Sequence, residues 1–218
     1  MLYIVATPIG NLKDITLRAL DVLKSCAIIA CENTRHSQIL LKEYAIQKHI
    51  VNISQHSSEQ QIHRLLEDVK SGKNIAYITD AGMPLVSDPG YLLVAGAVKE
   101  KVPFTVLPGP NAALTALVAS GFLQKEFYFG GFLPLKKGRK KTLEGLLNLG
   151  VPVVLYESPY RMNKLLEEIV TFGHGDRNIC VGRELTKMYE EYIRGTAGEL
   201  STKYAGKEWK GECTVVIG

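Results

Sequence analysis

The sequence predicts an α/β protein, and two observations carry that prediction. Short runs rich in β-branched and aromatic residues alternate along the chain with amphipathic runs at helical spacing, a pattern typical of mainly parallel sheets covered by helices. The chain has 218 residues, 46% of them hydrophobic and 22% charged, so it can bury the core of one large α/β domain or two small ones.

Segment by segment, ten runs are predicted to be strands, separated by helices and loops. Ser58 and Gln61 indicate a capping box at the start of one helix, and Gly72 lies where a glycine would end it. The pattern changes at residues 120–126, which predicts two domains, residues 1–120 and residues 121–218. The predicted strands cover residues 2–6, 27–31, 50–53, 74–79, 104–107, 127–132, 151–156, 178–183, 192–195 and 213–217.

Several classes of protein are excluded by what the sequence lacks. No run approaches the ~18 apolar residues of a membrane helix, and the N-terminus has no basic region of a signal peptide. The GxGxxG, GxxxxGK[ST], HExxH and GxSxG motifs are all missing. We therefore expect a cytoplasmic protein without a metal site, in which the cysteines are buried free thiols: Cys26, Cys31, Cys180 and Cys213.

Glycine and proline concentrate in three loops, each directly after a predicted strand. The loops cover residues 7–11 (TPIGN), 80–84 (DAGMP) and 108–112 (PGPNA). Ligands of open α/β sheets bind outside the carboxyl ends of the strands, where glycine lets the backbone approach a ligand closely. Ordinary βα turns are the alternative interpretation, but three such loops together predict a preformed small-molecule site.

Polar clusters that combine a carboxylate with a cation follow three other predicted strands. They cover residues 32–36 (ENTRH), 156–161 (YESPYR) and 183–187 (RELTK). Any one of them is more often a surface ion pair or a helix cap, but three at strand ends predict a cleft with acid, base and anion-binding groups.

A short basic segment stands out in a chain whose net charge is only +4. This basic loop, residues 136–141 (KKGRKK), places five basic residues in six positions. Either it is a solvated loop or it contacts an anionic partner such as RNA.

These motifs, taken in order, resemble those of a known family. The sequence is similar to the tetrapyrrole methylases, and most closely to the branch that methylates a ribose of small-subunit ribosomal RNA. The resemblance spans the whole chain and implies two α/β domains of the class III methyltransferase fold, with a mainly parallel N-terminal sheet, a mixed C-terminal sheet and S-adenosylmethionine in the cleft between them. It rests on residues 5–12 (VATPIGNL), 31–37 (CENTRHS), 79–90 (TDAGMPLVSDPG), 108–113 (PGPNAA), 131–134 (GFLP), 156–161, 183–187 and 210–212 (KGE).

Carried over position by position, the resemblance implies a set of cofactor contacts. Two motifs depart from the related patterns: tetrapyrrole methylases have Gly-Asp-Pro where this chain has Gly82-Met83-Pro84, and Asn33 replaces the usual aspartate of Glu-Asp-Thr-Arg. The carboxylate lost at Met83 argues against a tetrapyrrole substrate. The implied contacts are Ile9, Ala81, Gly82, Met83, Val86, Asn111, Ala112, Tyr156, Glu157 and Gly195.

The implied reaction is 2′-O-methylation of a cytidine in 16S ribosomal RNA. A ribose hydroxyl is a poor nucleophile, so a general base, or a cation that stabilises the forming alkoxide, would accelerate the transfer. The candidate catalytic residues are Glu32, Arg35, Glu157, Glu184 and Lys187. Because guanidinium matches phosphate geometry, Arg35 could also clamp a phosphate. The RNA contacts predicted are Lys136, Lys137, Arg139, Lys140, Lys141, Arg161 and Arg183.

The resemblance further implies a homodimer that needs no metal and no membrane. Many relatives continue into a small helical segment after the final strand, so RNA contacts from such a segment are expected to be missing from this chain, whose last residue is Gly218. Two alternatives stay open: an enzyme of the same fold that methylates a tetrapyrrole or a protein side chain, and a non-catalytic RNA-binding module.

Overall fold

The computed structural model describes residues 1–122 and 125–218, which form two compact units, Met1–Asn111 and Ala112–Gly218. The division falls earlier than the predicted domain boundary because the helix Ala112–Ser120 packs on the sheet of the second unit. Residues 123 and 124, within the stretch where the boundary is predicted, lie outside the described residues.

The first unit is an entirely parallel sheet with helices on both faces. The strand order is β3-β2-β4-β1-β5, so the loops after β2, β4, β1 and β5 follow one another along one edge. The elements are β1 Leu2–Val5, α1 Leu17–Ser25, β2 Ile28–Cys31, α2 Thr34–Glu43, β3 His49–Asn52, α3 Glu59–Lys70, β4 Ile75–Ile78, α4 Tyr91–Lys99 and β5 Phe104–Leu107.

The central strand β4 is buried on both faces. Ile75 and Tyr77 pack into one hydrophobic cluster, and Ala76 and Ile78 pack into another on the opposite face of the sheet. Alternation of side chains along a strand requires apolar residues at every position when both faces are covered. This burial fixes the position of β4 in the sheet. It therefore also fixes the start of the loop after β4, which carries Gly82.

The second unit has a mixed sheet in the order β6-β7-β10-β8-β9. Strands β6 and β7 are parallel, and the remaining pairs are antiparallel. The elements are α5 Ala112–Ser120, β6 Tyr128–Phe132, α6 Arg139–Leu147, β7 Val153–Glu157, α7 Met162–Thr171, β8 Asn178–Arg183, β9 Glu191–Thr196, α8 Ala197–Tyr204 and β10 Cys213–Ile217.

The predictions for the ends of α3 and for the cysteines are confirmed. Ser58 and Gln61 form a reciprocal capping box at the start of α3, and Gly72 follows that helix with φ of +98°. All four cysteines are free and buried. Among the described residues, none of the helices has the length and apolar character needed to cross a membrane.

Candidate functional site

The glycine-rich loops after β1, β4 and β5 meet at one edge of the parallel sheet. The Thr7 backbone N–H donates to the Gly82 carbonyl at 2.9 Å, and the Gly82 N–H donates to the Thr7 carbonyl at 3.1 Å. Gly82 has φ of +79°, and a Cβ there would lie 3.3 Å from Ile9 Cγ2 and 3.7 Å from the Pro110 carbonyl oxygen. Backbone conformation and close packing therefore both favour glycine, and the prediction that the three loops share one edge is confirmed.

The other predicted cofactor positions of this unit lie in the loops after β4 and β5. Ala81 is exposed at the end of β4, whereas Met83, Val86 and Asn111 are partly buried. Ala112 follows Asn111 directly, as the first residue of α5 in the second unit. Their role in binding a cofactor stays a prediction.

Three carboxylic acids lie close together near the carboxyl ends of β2 and β4. Burial raises the pKa of Asp88 to about 6; the charges of Glu32 and Asp80 add to this shift, and a 3.0 Å hydrogen bond from Thr79 Oγ1 opposes it. Burial and the charge of Asp80 also raise the pKa of Glu32. The stability linked to Asp88 is therefore present below its ordinary pKa and lost as pH rises through about 6. A buried carboxyl that lowers stability when it ionises at neutral pH is typical of functional sites.

The start of α2 beside this cluster is held by Asn33. Its Oδ1 accepts hydrogen bonds from the backbone N–H groups of Arg35 at 3.1 Å and His36 at 3.3 Å. Asparagine caps a helix as well as aspartate does, so the departure at position 33 preserves the local structure. Arg35 is exposed, and its guanidinium forms no ion pair within the described ranges 1–122 and 125–218.

In the second unit, Glu157 is the centre of a buried ion network. Its Oε2 accepts hydrogen bonds from both terminal nitrogens of Arg139 at 3.1 Å. Its Oε1 accepts from Arg161 Nε at 2.6 Å and from the Ser158 backbone at 2.8 Å. Arg139 Nε donates in turn to Glu168 Oε2 at 2.8 Å. Four donors thus occupy both oxygens of Glu157, which makes this side chain a rigid anchor.

The predicted RNA contact through Arg139 is wrong. Arg139 is 3% exposed and its guanidinium is held by Glu157 and Glu168, so it has no free face for a phosphate. Arg161 also forms an ion pair with Glu157, but its side chain is 21% exposed, so part of it is accessible at the surface.

A second ion cluster contains Glu184 and Lys187. Glu184 Oε1 accepts hydrogen bonds from Lys187 Nζ at 2.9 Å and from the Glu212 backbone at 2.9 Å. The Glu212 backbone bond and Lys187 lower the pKa of Glu184. Burial by itself would lower the pKa of Lys187, but hydrogen bonds to Glu184 and Glu212 raise it overall. At neutral pH the pair is therefore a carboxylate and an ammonium.

The two clusters of the second unit lie at the same end of its sheet. Cys213 on β10 pairs with Glu157 on one side and with Arg183 on the other. With strands spaced ~4.8 Å apart, the backbones at Glu157 and Arg183 are about 10 Å apart. Arg183 is itself paired with Glu191 at 3.0 Å, so a phosphate would have to compete with that carboxylate.

Gly195 does not lie beside Tyr156. Tyr156 packs against Phe129 and Phe132, with ring centroids 5.2 Å and 5.5 Å away. Gly195 lies on β9, three strands from β7, and its register places it level with Val153 at the other end of the sheet. Within this unit, Gly195 therefore lies apart from Tyr156 and Glu157, and the role of these three residues in binding a cofactor stays a prediction.

Known sequences identify the family. Residues 1–201 match the family model of the Tetrapyrrole (Corrin/Porphyrin) Methylases. A Bacillus subtilis protein named ribosomal RNA small subunit methyltransferase I is 46% identical over 100% of this chain and 75% of its own length. A Thermotoga maritima protein of the same name is 40% identical over 99% of this chain and 97% of its own length. The chain belongs to the tetrapyrrole methylases, in their ribosomal RNA small subunit methyltransferase I branch.

Solved structures of more distant proteins share the fold of this tetrapyrrole methylase. A cobalt precorrin-4 methyltransferase has a TM-score of 0.74 at 19% identity, covering 100% of this chain and 94% of its own. A diphthine synthase has a TM-score of 0.75 at 13% identity, covering 100% of this chain and 89% of its own. The predicted fold class, one parallel and one mixed sheet of the tetrapyrrole-methylase type, is confirmed.

Sequence reasoning missed three acidic residues of these clusters. Asp80 and Asp88 lie within the motif of residues 79–90, and no local pattern indicates that their carboxyls lie near Glu32. Glu168 lies on α7, far along the chain from Arg139 on α6 and Glu157 on β7. Contacts between separate elements leave no periodic signal, so only the folded chain reveals these networks.

Proposed function

We propose that this tetrapyrrole methylase transfers the methyl group of S-adenosylmethionine to the ribose 2′-hydroxyl of a cytidine in 16S ribosomal RNA. The observation that carries the proposal is the 40% identity to the Thermotoga maritima protein, whose name specifies small-subunit ribosomal RNA, over 97% of its length. Similarity over that length includes both units, which supports the same reaction rather than a shared cofactor fold alone.

The glycine-rich loops of the first unit fit the cofactor. A Cβ at Gly82 would lie only 3.3 Å from Ile9 Cγ2, and its φ of +79° favours glycine, so this loop offers backbone groups without a side chain at position 82. Such groups can bind the polar ends of a nucleoside-like cofactor at close range. When bound, S-adenosylmethionine supplies an electrophilic methyl on a sulfonium. We assign its first-unit contacts to Ile9, Ala81, Gly82, Met83, Val86 and Asn111, and a further contact to Ala112 at the start of the second unit.

Glu32 is the best candidate for the general base. A catalytic base works best when its pKa approaches the working pH, and burial together with Asp80 shifts the pKa of Glu32 in that direction. Glu184, whose pKa is lowered and whose carboxylate is already hydrogen-bonded, is a poorer proton acceptor.

The remaining candidates fit other roles. Lys187 has a raised pKa and stays protonated at neutral pH, so it can stabilise a forming alkoxide but cannot accept a proton. Glu157, whose oxygens are occupied by Arg139, Arg161 and Ser158, is assigned to positioning of the strand end beside Tyr156. Arg35, exposed at the start of α2, is assigned to a phosphate.

Two alternatives are distinguished by one pair of assays. A non-catalytic RNA-binding module should not bind S-adenosylmethionine in calorimetry. An enzyme specific for tetrapyrroles or a protein side chain should bind it and transfer no label to small ribosomal subunits. The proposal requires both cofactor binding and transfer of label to the subunit.

The basic loop is assigned to RNA phosphates through its four lysines, which are all exposed. We expect Lys136→Ala, Lys137→Ala and Lys141→Ala together to weaken binding of small subunits and to flatten the salt dependence. Each lost phosphate contact should reduce the slope of log K against log salt by ~0.7–0.9. Filter binding at several salt concentrations measures both quantities. The control for lost positive charge replaces Lys99 and Lys101, in and just after α4, by alanine. An unchanged slope of log K against log salt in the loop variant would show that the basic loop only solubilises the chain.

We also infer a homodimer that works in the cytoplasm, where ribosomal subunits are modified. Tyr91 and Val98, two large apolar side chains of α4, are 73% and 62% exposed, which supports a surface covered by a partner. Sedimentation at micromolar concentration should give about twice the 24.1 kDa mass of one chain. A protein that stays monomeric at that concentration would contradict the inferred homodimer.

A further inference from the structure

A polar pocket of about 490 Å³ opens within the first unit, at the carboxyl ends of β2, β3 and β4. All nine residues that line it have polar side chains, among them Glu32, Arg35, Asn52, Gln55 and Asp80. Its volume is in the range of small-molecule sites, but such sites are usually lined mainly by apolar groups. A lining without apolar side chains favours a ligand that forms hydrogen bonds at its edges.

Asp80 is the residue of this pocket that most strongly indicates a ligand. Its Oδ1 is buried and has no hydrogen-bond partner among residues 1–122 and 125–218. A buried acceptor without a partner costs ~1–3 kcal/mol, and a ligand that donates a hydrogen bond to it would remove that cost. The charge and the backbone of Asp80 both act on the pKa of Glu32, so the two acids lie close together at one end of the pocket. That end is rich in acceptors and suits a ligand with N–H donors.

Side chains with donor groups also line the pocket. Arg35 is exposed and unpaired within the described residues, and the Gln55 amide lies 3.2 Å from His56 Nε2 on the exposed side of the pocket. Asn52 uses its amide N–H on the Glu32 backbone carbonyl, which joins β3 to the loop after β2. A pocket lined by both acceptors and donors matches the edge of a nucleobase, which carries both.

The pocket adjoins the glycine-rich loops. Asp80 is followed directly by Ala81 and Gly82, and β4 lies between β2 and β1 in the sheet. Neighbouring strands are ~4.8 Å apart. A ligand between the ends of β2 and β4 is therefore one strand away from the loop that carries Ile9.

We propose that this pocket receives the base of the target nucleotide, and that Asp80 selects a base with an exocyclic amine. This inference rests on the proposed function and names a specificity determinant for it. A carboxylate accepts a hydrogen bond from the N4 amino group of cytosine, whereas uracil presents an oxygen at the same position. Proteins that recognise RNA by sequence commonly bind unstacked bases in this way. Glu32 keeps its separate assignment as the base that faces the ribose.

The first experiment measures binding without catalysis. Cytidine 5′-monophosphate and uridine 5′-monophosphate are titrated into the isotope-labelled full chain, in the presence of S-adenosylhomocysteine, and backbone amide shifts are followed by NMR. We expect cytidine monophosphate to bind at least tenfold more tightly than uridine monophosphate and to shift amides at residues 32–35, 52–56 and 80. Asp80→Asn, which keeps the size of the side chain, should reduce this ratio to about one.

Two variants serve as controls. Glu43→Gln neutralises an exposed carboxylate on α2 outside the pocket and should leave the ratio unchanged. Gln55→Ala removes an exposed side chain of the pocket without touching its buried end, and should weaken both nucleotides equally. If Asp80→Asn does not fold, equal binding of the two nucleotides by the unmodified chain still overturns the proposal.

The second experiment separates this inference from the proposed function. Small subunits reconstituted with cytidine or uridine at the methylated position are compared as substrates for labelled transfer. Preference for cytidine that is lost in Asp80→Asn supports the pocket. Equal transfer to both, or nucleotide-induced shifts outside the pocket only, overturns it. If nucleotide binding discriminates as expected while no subunit is methylated, the proposed function fails and the pocket stands.

Discussion

Replacement of Arg139 by alanine should destabilise the protein by about 3–5 kcal/mol, the usual cost of removing one partner from a buried ion pair. Arg139 is 3% exposed and holds two carboxylates, Glu157 and Glu168. Without the guanidinium, the Glu157 carboxylate loses two of its four donors while it remains buried. The midpoint of urea unfolding measures the loss.

A control on the same helix separates this effect from loss of charge. Lys141→Ala removes one exposed positive charge two residues along α6 and should change stability by less than about 0.5 kcal/mol. Adding Glu157→Gln to Arg139→Ala should recover part of the loss, since it removes the unpaired charge. A loss below about 1 kcal/mol in Arg139→Ala would mean that the ion network does not stabilise the second unit.

Gly82→Val should lower the affinity for S-adenosylmethionine at least tenfold, which corresponds to 1.4 kcal/mol. A β-branched residue is strained at φ of +79°, and its Cβ would lie 3.3 Å from Ile9 Cγ2 at the point where three loops meet. Either the loop moves or the side chain occupies the space above β4. Isothermal calorimetry on the folded variant measures the change.

Gly72→Val is the matched control for backbone strain. Gly72 has φ of +98° at the end of α3, and no atom lies within 4 Å of a Cβ built there. Both variants should lose roughly 1–2 kcal/mol of stability from the left-handed backbone, but only Gly82→Val should lose cofactor affinity. Unchanged affinity in a folded Gly82→Val protein would place the cofactor elsewhere.

Periodicity and turn residues were sufficient to predict most elements of this fold. Strands such as Phe104–Leu107, Asn178–Arg183 and Cys213–Ile217 match the predicted ranges, and the capping box at Ser58 is formed as predicted. The domain boundary was harder to predict because α5 is apolar and continuous with the loop before it. Its assignment to the second unit depends on packing against β7, β8 and β10, which no local pattern reports.

In the site, as in the fold, features set by local sequence could be predicted, whereas contacts between distant elements could not. Glycine at position 82 could be predicted to allow close approach, because it lies in a Gly/Pro-rich loop directly after a strand, whereas the crowding by Ile9 and Pro110 comes from the two other loops. The burial of Arg139 could not be predicted. The sequence shows five basic residues in six positions and does not indicate which of them is buried. Its partners come from β7 and α7, and Asp80 likewise acquires its surroundings only when β2 and β4 pair.

Transfer of labelled methyl groups to unmodified small ribosomal subunits tests the proposed function most directly. The subunits are incubated with the protein and labelled S-adenosylmethionine, and their RNA is then partially hydrolysed with alkali. A 2′-O-methyl group removes the internal nucleophile for alkaline cleavage, so we expect label in the RNA and a gap in the ladder at one cytidine. Label on a base with an uninterrupted ladder, or no transfer to the subunit, would contradict the proposed reaction.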